Sequence, residues 1–352
     1  MTAYRSSDTP EATAPTGPLK PRTHWRQRRD VQAAALVPLV ALVAAVLIGD
    51  LNAWLTLTLA GLAMGMMLFI MTSGFTLVFG LMDVLNFGHG AFISLGAFCG
   101  FSVMLSMDGW RLSESLWLNL GAFGAAAIVA MTAAALMSWL FERILVRRVY
   151  GDHLMQILIT MGGLIVAEQL IYVFWGGHDI PMLKPPAFQG GVQWGGLVFE
   201  KYRLLAVVLG GLLFIGLLLV FKKTRLGLLI RAGVENREMV ESFGYNVRCL
   251  FVLVFMAGSA LAALGGIMWG VYDEVITPHL GQSLMITVFI VAIIGGLGSI
   301  EGCFIAALVV GLLSNYIGFL APKLALVSTI GLMVVVLLWR PQGLVPVSEG
   351  GK

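Results

Sequence analysis

Apolar residues in this chain fall into long runs, and polar residues collect between them. A helix that crosses a bilayer needs about 20 predominantly apolar residues. Runs of that order occupy 31–49, 54–82, 88–107, 116–141, 154–175, 204–221, 249–270, 284–299, 301–320 and 324–339. The pattern predicts an all-α polytopic integral membrane protein of eight to ten transmembrane helices. Ten follows if every run spans. Two junctions, at 83–87 and near Ser299, have little polar loop, and reading those segments as broken or re-entrant helices brings the count to eight.

Charge in the loops orients the spans. Alternation places Arg26, Arg28, Arg29, Arg143, Arg147, Arg148, the 222–248 loop and Arg340 on one side. The other side holds only Arg111, Lys184, Lys201, Arg203 and Lys323 among Lys and Arg. Excess positive charge marks the cytoplasmic side, which predicts both termini there and an even number of spans. Residues 1–30 are polar, carry Pro10, Pro15, Pro18 and Pro21, and read as a disordered cytoplasmic tail. That lead is too long, and its apolar run too extended, for a cleavable signal peptide, so the first run reads as an uncleaved span. The body is 31–344, and 345–352 is a second short cytoplasmic tail.

Composition sharpens the class. The chain is 59% hydrophobic and 12% charged, where soluble domains carry about 25% charged residues. The net charge of +3 is small and lies in loops, which argues for topology and against nucleic-acid binding. Cys99, Cys249 and Cys303 sit in or beside apolar segments without a C-x-x-C pair, so neither a metal site nor a disulfide framework is expected. No cofactor is expected either.

Candidate chemistry gathers in four places. The first is the stretch 222–248, a polar island between two apolar runs, with six Lys/Arg and three Glu. A short helix fits inside it: Asn236 suits an N-cap, Glu238 the positive end of the dipole, and Gly244 the C′ position. Met239, Val240 and Phe243 then share one face, which needs cover from the membrane surface or from a partner's groove. The second and third places are the junctions. In 80–97, Asp83, Asn86 and His89 are spaced by three and share a helical face, with Gly88 and Gly90 around the His. In 295–304, Ser299 and Glu301 sit among four glycines. Broken helices at membrane depth free backbone groups that must be satisfied internally, and transporters use them to bind substrate. The plainer reading gives Asp83 and Glu301 to the membrane edge and His89 to helix packing. Both junctions place glycine and polar groups just before a Phe-Ile start to a new run, which hints at two weakly related halves. The fourth place is Glu168, the one acid well inside an apolar run, toward the outer end of its span. The longest outer loop, 176–203, carries Gly, Pro and the aromatics Phe188, Trp194, Phe199 and Tyr202. It reads as a cap on the outer mouth, as a meeting point for a soluble partner or as a passive interfacial loop.

No Walker A, H-E-x-x-H, G-x-S-x-G or serine–lysine motif is present, so the chain itself is not expected to hydrolyse ATP or to be an enzyme. Three further stretches carry a family resemblance. GFTLVFGLMDVLNFGHGAFISLGAF at 74–98 resembles the branched-chain amino acid ABC permeases of the LivH type. So do Thr224-Arg225, Gly227, Arg231-Ala232, Glu235-Asn236 and Gly244-Tyr245-Asn246 in the island, and GGLGSIEG at 295–302 with the closing WRPQGL at 339–344. The resemblance spans roughly 54–344. Val240 stands where that family often has Ala, and Ala91 where many relatives have Glu, which weakens transfer of their substrate to this chain.

The resemblance implies a permease subunit of an ATP-driven importer, in a bacterial inner membrane and surrounded by lipid. Its partners would be a second permease, two cytoplasmic ATPases and an extracytoplasmic solute-binding protein. The island would be the coupling loop, with Arg225, Gly227, Arg231, Asn236, Met239, Val240, Phe243 and Gly244 at the ATPase. Thr76, Asn86, His89, Ser299 and Glu301 would belong to the substrate path. Small amino acids, branched-chain ones among them, are the implied cargo, with urea or short amides as relatives' alternatives. The competing class is an ion-coupled secondary transporter of small polar solutes, for which Glu168, Asp83 and Glu301 are the available acids.

Overall fold

The computed structural model describes residues 32–194, 197–235 and 237–345. Ten helices occupy the ten apolar runs: α1 (Leu36–Ile48), α2 (Leu51–Met82), α3 (His89–Ser106), α4 (Leu116–Ile144), α5 (His153–Trp175), α6 (Lys201–Lys223), α9 (Val247–Asp273), α10 (Leu280–Gly295), α11 (Ile300–Leu320) and α12 (Ala325–Trp339). Two more helices, α7 (Arg225–Glu235) and α8 (Arg237–Ser242), lie in the island between α6 and α9. Seven of the helices are long and apolar enough to cross a membrane, while α1, α10 and α12 belong to shorter apolar helices. Both junctions are true breaks. Residues 83–88 leave the helix between α2 and α3, and 296–299 do so between α10 and α11. The run expected at 284–299 therefore ends at Gly295. Gly296 and Gly298 take positive φ of 99° and 87°, which a helix cannot continue through.

Helix α2 is the axis of the bundle. It is buried from Met66 to Val78 and packs on α6, α9, α10 and α11. Lipid tails are as apolar as leucine, so close van der Waals packing must hold such helices together, and small residues allow it. Gly74 and Gly258 meet backbone to backbone: a Cβ on Gly74 would stand 2.2 Å from the Gly258 carbonyl oxygen. Further out, Gly61 and Gly65 admit α11 at Gly311 and Ala307. Aromatic rings fill the wider gaps, as where Phe214 and Phe304 stack at 3.8 Å beneath Phe69. By contrast α5, α6 and α12 carry large exposed apolar flanks, including Ile165, Val173, Val208 and Leu338, as helices facing lipid or a second subunit do.

The side opposite the island is covered by connected loops. The buried Asn119 side chain on α4 donates to the carbonyls of Trp110 (2.8 Å), Arg111 (3.3 Å) and Ser113 (2.8 Å) and accepts the Ala187 amide (2.9 Å). One residue thereby joins the α3–α4 connection to the 176–203 loop. That loop forms a hairpin from β2 (Gly191–Trp194) and β3 (Leu197–Glu200), and its β1 (Ile180–Pro181) pairs antiparallel with β4 (Val275–Ile276) after α9.

Lys184 in this loop binds Glu200 at 2.7 Å and Glu274 at 2.9 Å. Burial alone pulls the Lys184 ammonium down, but its hydrogen bonds and the charges of both glutamates outweigh that and hold it above the ordinary lysine value. A base whose folded value is raised stabilises fully below its unfolded value and loses that contribution as pH climbs through the folded one. Thermal unfolding of the purified chain should therefore be insensitive to this group near neutrality and fall above about pH 10.4. Lys184→Met should lower the midpoint at neutral pH and flatten the alkaline fall, which a melting series against pH checks.

Candidate functional site

The motif segments 74–98, 295–302 and 339–344, distant in sequence, meet at one place. Gly80, near the end of α2, lies against Gly298 in the second break, where a Cβ would approach the Gly298 Cα to 2.4 Å. Gly343, at φ 83°, fits against Gly296 in the same way. The closing segment is then tied by backbone: the Leu344 amide donates to the Ile294 carbonyl (2.8 Å) and the Val345 amide to the Gly295 carbonyl (3.1 Å). Arg340 adds a hydrogen bond to the Leu344 carbonyl at 3.1 Å. These contacts occupy the carbonyls at the end of α10, which hydrocarbon would leave unsatisfied. Ser299 caps α11, its hydroxyl accepting the Gly302 amide at 3.1 Å. Glu301, in the first turn of α11, pairs with Lys222 at the end of α6. Thr76 is buried on α2 and faces the Cys303 thiol.

The first break satisfies its backbone differently. Gln156 Oε1 accepts the Leu85 amide (3.3 Å) and Thr160 Oγ1 accepts the Phe87 amide (3.1 Å), both side chains reaching from α5. Asn86 between them is buried, and both its side-chain atoms lack a partner. His89 opens α3. Its Nε2 lies 2.9 Å from the Met71 carbonyl and its ring meets Phe75 edge-on. A carbonyl only accepts, so Nε2 carries the proton and the buried Nδ1 is a free acceptor. Asp83, its side chain 75% exposed, closes α2 and lies 3.6 Å from His153 at the start of α5. The sequence pattern thus brings Asn86 and His89 together in one turn, and Thr76, Ser299 and Glu301 around the second break. Asp83 turns outward.

Glu168 does not reach solvent. It is 5% exposed, with one carboxylate oxygen 3.4 Å from His279 Nδ1, while His279 Nε2 lies 2.7 Å from the Tyr172 hydroxyl. Sequence reasoning passed over Gln156 and Thr160. Their signal is the spacing of polar residues along α5, four from Gln156 to Thr160 and eight from Thr160 to Glu168, which places them on one face.

The island contains two helices where one was expected. Thr224 Oγ1 accepts the Gly227 amide at 3.3 Å, starting α7 as an N-cap does, and Gly227 allows a tight fold, since its Cβ would lie 2.3 Å from the Phe221 carbonyl. Arg225 is the first residue of α7. The side chain of Arg231, that of Glu238 and the whole of Asn236, with its expected cap, lie outside the described residues, as do 1–31 and 346–352. Helix α8 ends as expected at Gly244, φ 84°. The Gly244 amide bonds the Glu241 carbonyl (3.0 Å) and the Tyr245 amide the Val240 carbonyl (3.4 Å), the paired bonds of a Schellman ending. Val240 is buried, while Met239 (56%) and Phe243 (70%) are exposed. Gly244→Val should strain this end by about 1–2 kcal/mol and loosen α8, seen as faster limited proteolysis across 237–246.

Known proteins share this chain's sequence and its fold. A profile of the family described as branched-chain amino acid transport system / permease component matches residues 57–337. The high-affinity branched-chain amino acid transport system permease protein BraD of Pseudomonas aeruginosa is 29% identical over 289 residues, covering 81% of this chain and 93% of BraD. LivH of Escherichia coli K12 is 26% identical over 295 residues, covering 81% of this chain and 92% of LivH. LivM of the same strain is 26% identical over 309 residues, with 81% of this chain and 69% of LivM covered. An inward-facing structure described as a metal-chelate type ABC transporter overlays with a TM-score of 0.51 at 16% identity, across 90% of this chain and 99% of its own.

Proposed function

The chain belongs to the family of branched-chain amino acid transport permease components, and on that footing we propose that it is a multi-pass membrane permease subunit of an ATP-driven importer of branched-chain or related small amino acids. It works without chemistry of its own. Energy comes from ATPase partners docked on the island, and both termini lie on that cytoplasmic side of a bacterial inner membrane. The match to LivM as well as LivH supports pairing with a second permease of the same ancestry. The body 31–344 carries the path, and the loops stitched by Asn119 form the platform for a solute-binding protein.

The observation that carries this reading is the exposed pair Met239 and Phe243 on a helix whose own packing already uses Val240. An apolar pair held outside the bundle on a capped helix fits a groove in a soluble partner. Arg225, Gly227 and Gly244 shape that loop around the pair, and Arg231 and Asn236 are assigned to the same ATPase contact. When the ATPases close, the loop moves with them. The motion reaches the second break through the Lys222–Glu301 pair, which links the island's first residue to α11. Thr76 and Ser299 lie where that motion arrives, and Asn86 and His89 line the neighbouring break.

Reconstitution into proteoliposomes with the neighbouring permease, ATPase and binding-protein subunits tests this. ATP-dependent uptake of leucine or valine is expected. ATP-dependent uptake of urea or an amide with no amino-acid uptake would replace the cargo. Uptake driven by an ion gradient without ATP would overturn the reading.

A further inference from the structure

Asn86 is 1% exposed, yet neither its amide nitrogen nor its amide oxygen has a hydrogen-bond partner. Burying a carboxamide with nothing to bond is costly, and native interiors rarely leave one so. Its position makes the vacancy informative. A Cβ on Gly88 would stand 3.0 Å from Asn86 Oδ1, and Gly88 is the N-cap residue of the 18-residue helix α3, which starts without a side-chain cap. The N-terminal end of such a helix favours negative charge. The adjoining amides of Leu85 and Phe87 also face a partner, but only the neutral oxygens of Gln156 and Thr160 at 3.3 and 3.1 Å. Asp83 and His153, at the edge of the break, are exposed and lie 3.6 Å apart.

We propose that this break is a carboxylate station on the transport path. This rests on the reading of the chain as an amino-acid permease. The substrate's α-carboxylate takes the Leu85 and Phe87 amides in place of Gln156 and Thr160, with the Asn86 amide nitrogen as a third donor. Gln156 and Thr160 hold those donors while the path is empty, so the backbone is satisfied in both states. The acceptors left over, Asn86 Oδ1 and the free His89 Nδ1, suit the substrate's ammonium group. Entry requires α5 to draw back from the break. The outer flank of α5 at Ile165 and Val173 is exposed, so its withdrawal is opposed by its inner contacts, the Glu168–His279 and Trp175–Ser102 pairs among them.

The test is leucine uptake by the full reconstituted complex, paired with thermal unfolding of each variant. Asn86→Leu keeps the branching, with bulkier methyls, and removes two unsatisfied atoms, so as a packing change it should cost little. The station predicts an unfolding midpoint close to the parent's, with uptake down about tenfold or more through loss of a hydrogen bond to charge. Uptake at the parent rate would overturn it. If Asn86→Leu unfolds, Asn86→Asp decides, because it keeps the shape and adds a charge that repels a carboxylate. Uptake relative to the parent should then be low at neutral pH and recover as the new carboxyl is protonated. Parent-like uptake at all pH values, or equal loss at all of them, would overturn the station. The parent complex separates the two readings. Leucine uptake by the parent with indifferent Asn86 variants sinks the station alone, while a parent that moves only an uncharged solute sinks both.

Discussion

Gly74→Val should leave no well-folded chain. Its Cβ would stand 2.2 Å from the Gly258 carbonyl oxygen and 3.0 Å from the carbonyl carbon, and backbone cannot swing aside as a side chain does. Overpacking of a buried site costs about 1–3 kcal/mol where neighbours can adjust. Here two helices at the centre of the bundle would have to part, so the cost lies at or beyond the upper end. The contact is reciprocal, with Gly258 meeting the Gly74 carbonyl at 2.6 Å, and Gly258→Val should fail alike. The check is size-exclusion chromatography in detergent, where the single folded peak should be lost. Gly211→Val on α6 is the control, since nothing lies within 4 Å of its added Cβ. An intact peak from Gly74→Val would mean that α2 and α9 are not so close.

The second large effect is on assembly. Met239→Asp combined with Phe243→Asp should abolish co-purification of the ATPase while leaving the permease folded. Exposed apolar anchors at the centre of an interface are worth about 2 kcal/mol or more each, so losing both weakens the complex by about a thousandfold. Both side chains are more than half exposed, so charging them should cost the free chain little. Val240→Asp separates the cases. Val240 is buried under the loop, and that change should damage α8 itself, which proteolysis would reveal. Undiminished recovery of the ATPase with the double variant would move the contact away from the island.

Helix positions were legible in the sequence because a spanning helix must be a certain length of apolar chain, and run length survives any tertiary arrangement. The second break was legible because glycine interrupts a helix wherever it takes positive φ, as Gly296 and Gly298 do, whereas at the first it is Asp83 that turns, at φ 52°, while Gly88 stays right-handed. The end of α8 was readable for the same reason at Gly244. What satisfies each break was not. The Leu85 and Phe87 amides are met by residues 71 and 73 positions later, and Ile294 by Leu344, and no local pattern announces such a pairing. Glu168 read as a residue that reaches an interface, but its partner His279 stands 111 residues on and arrives only with the fold. The island's other helix escaped notice because α7 follows α6 after a single residue, Thr224, and reads as its continuation.

The clasp formed by Leu344 and Val345 on Ile294 and Gly295 has a consequence for the order of biosynthesis. Every helix precedes Leu344 in the chain, so the spans can form without the segment that begins there. Until that segment arrives, two carbonyls at the second break have no partner, and the Gly80–Gly298 seam lacks its backing at Gly343. Insertion and completion are therefore separate events. A message cut short just before Leu344 would yield a chain that membrane integration accepts as finished, and whose incompleteness only a quality-control protease that senses loosely packed helices would detect.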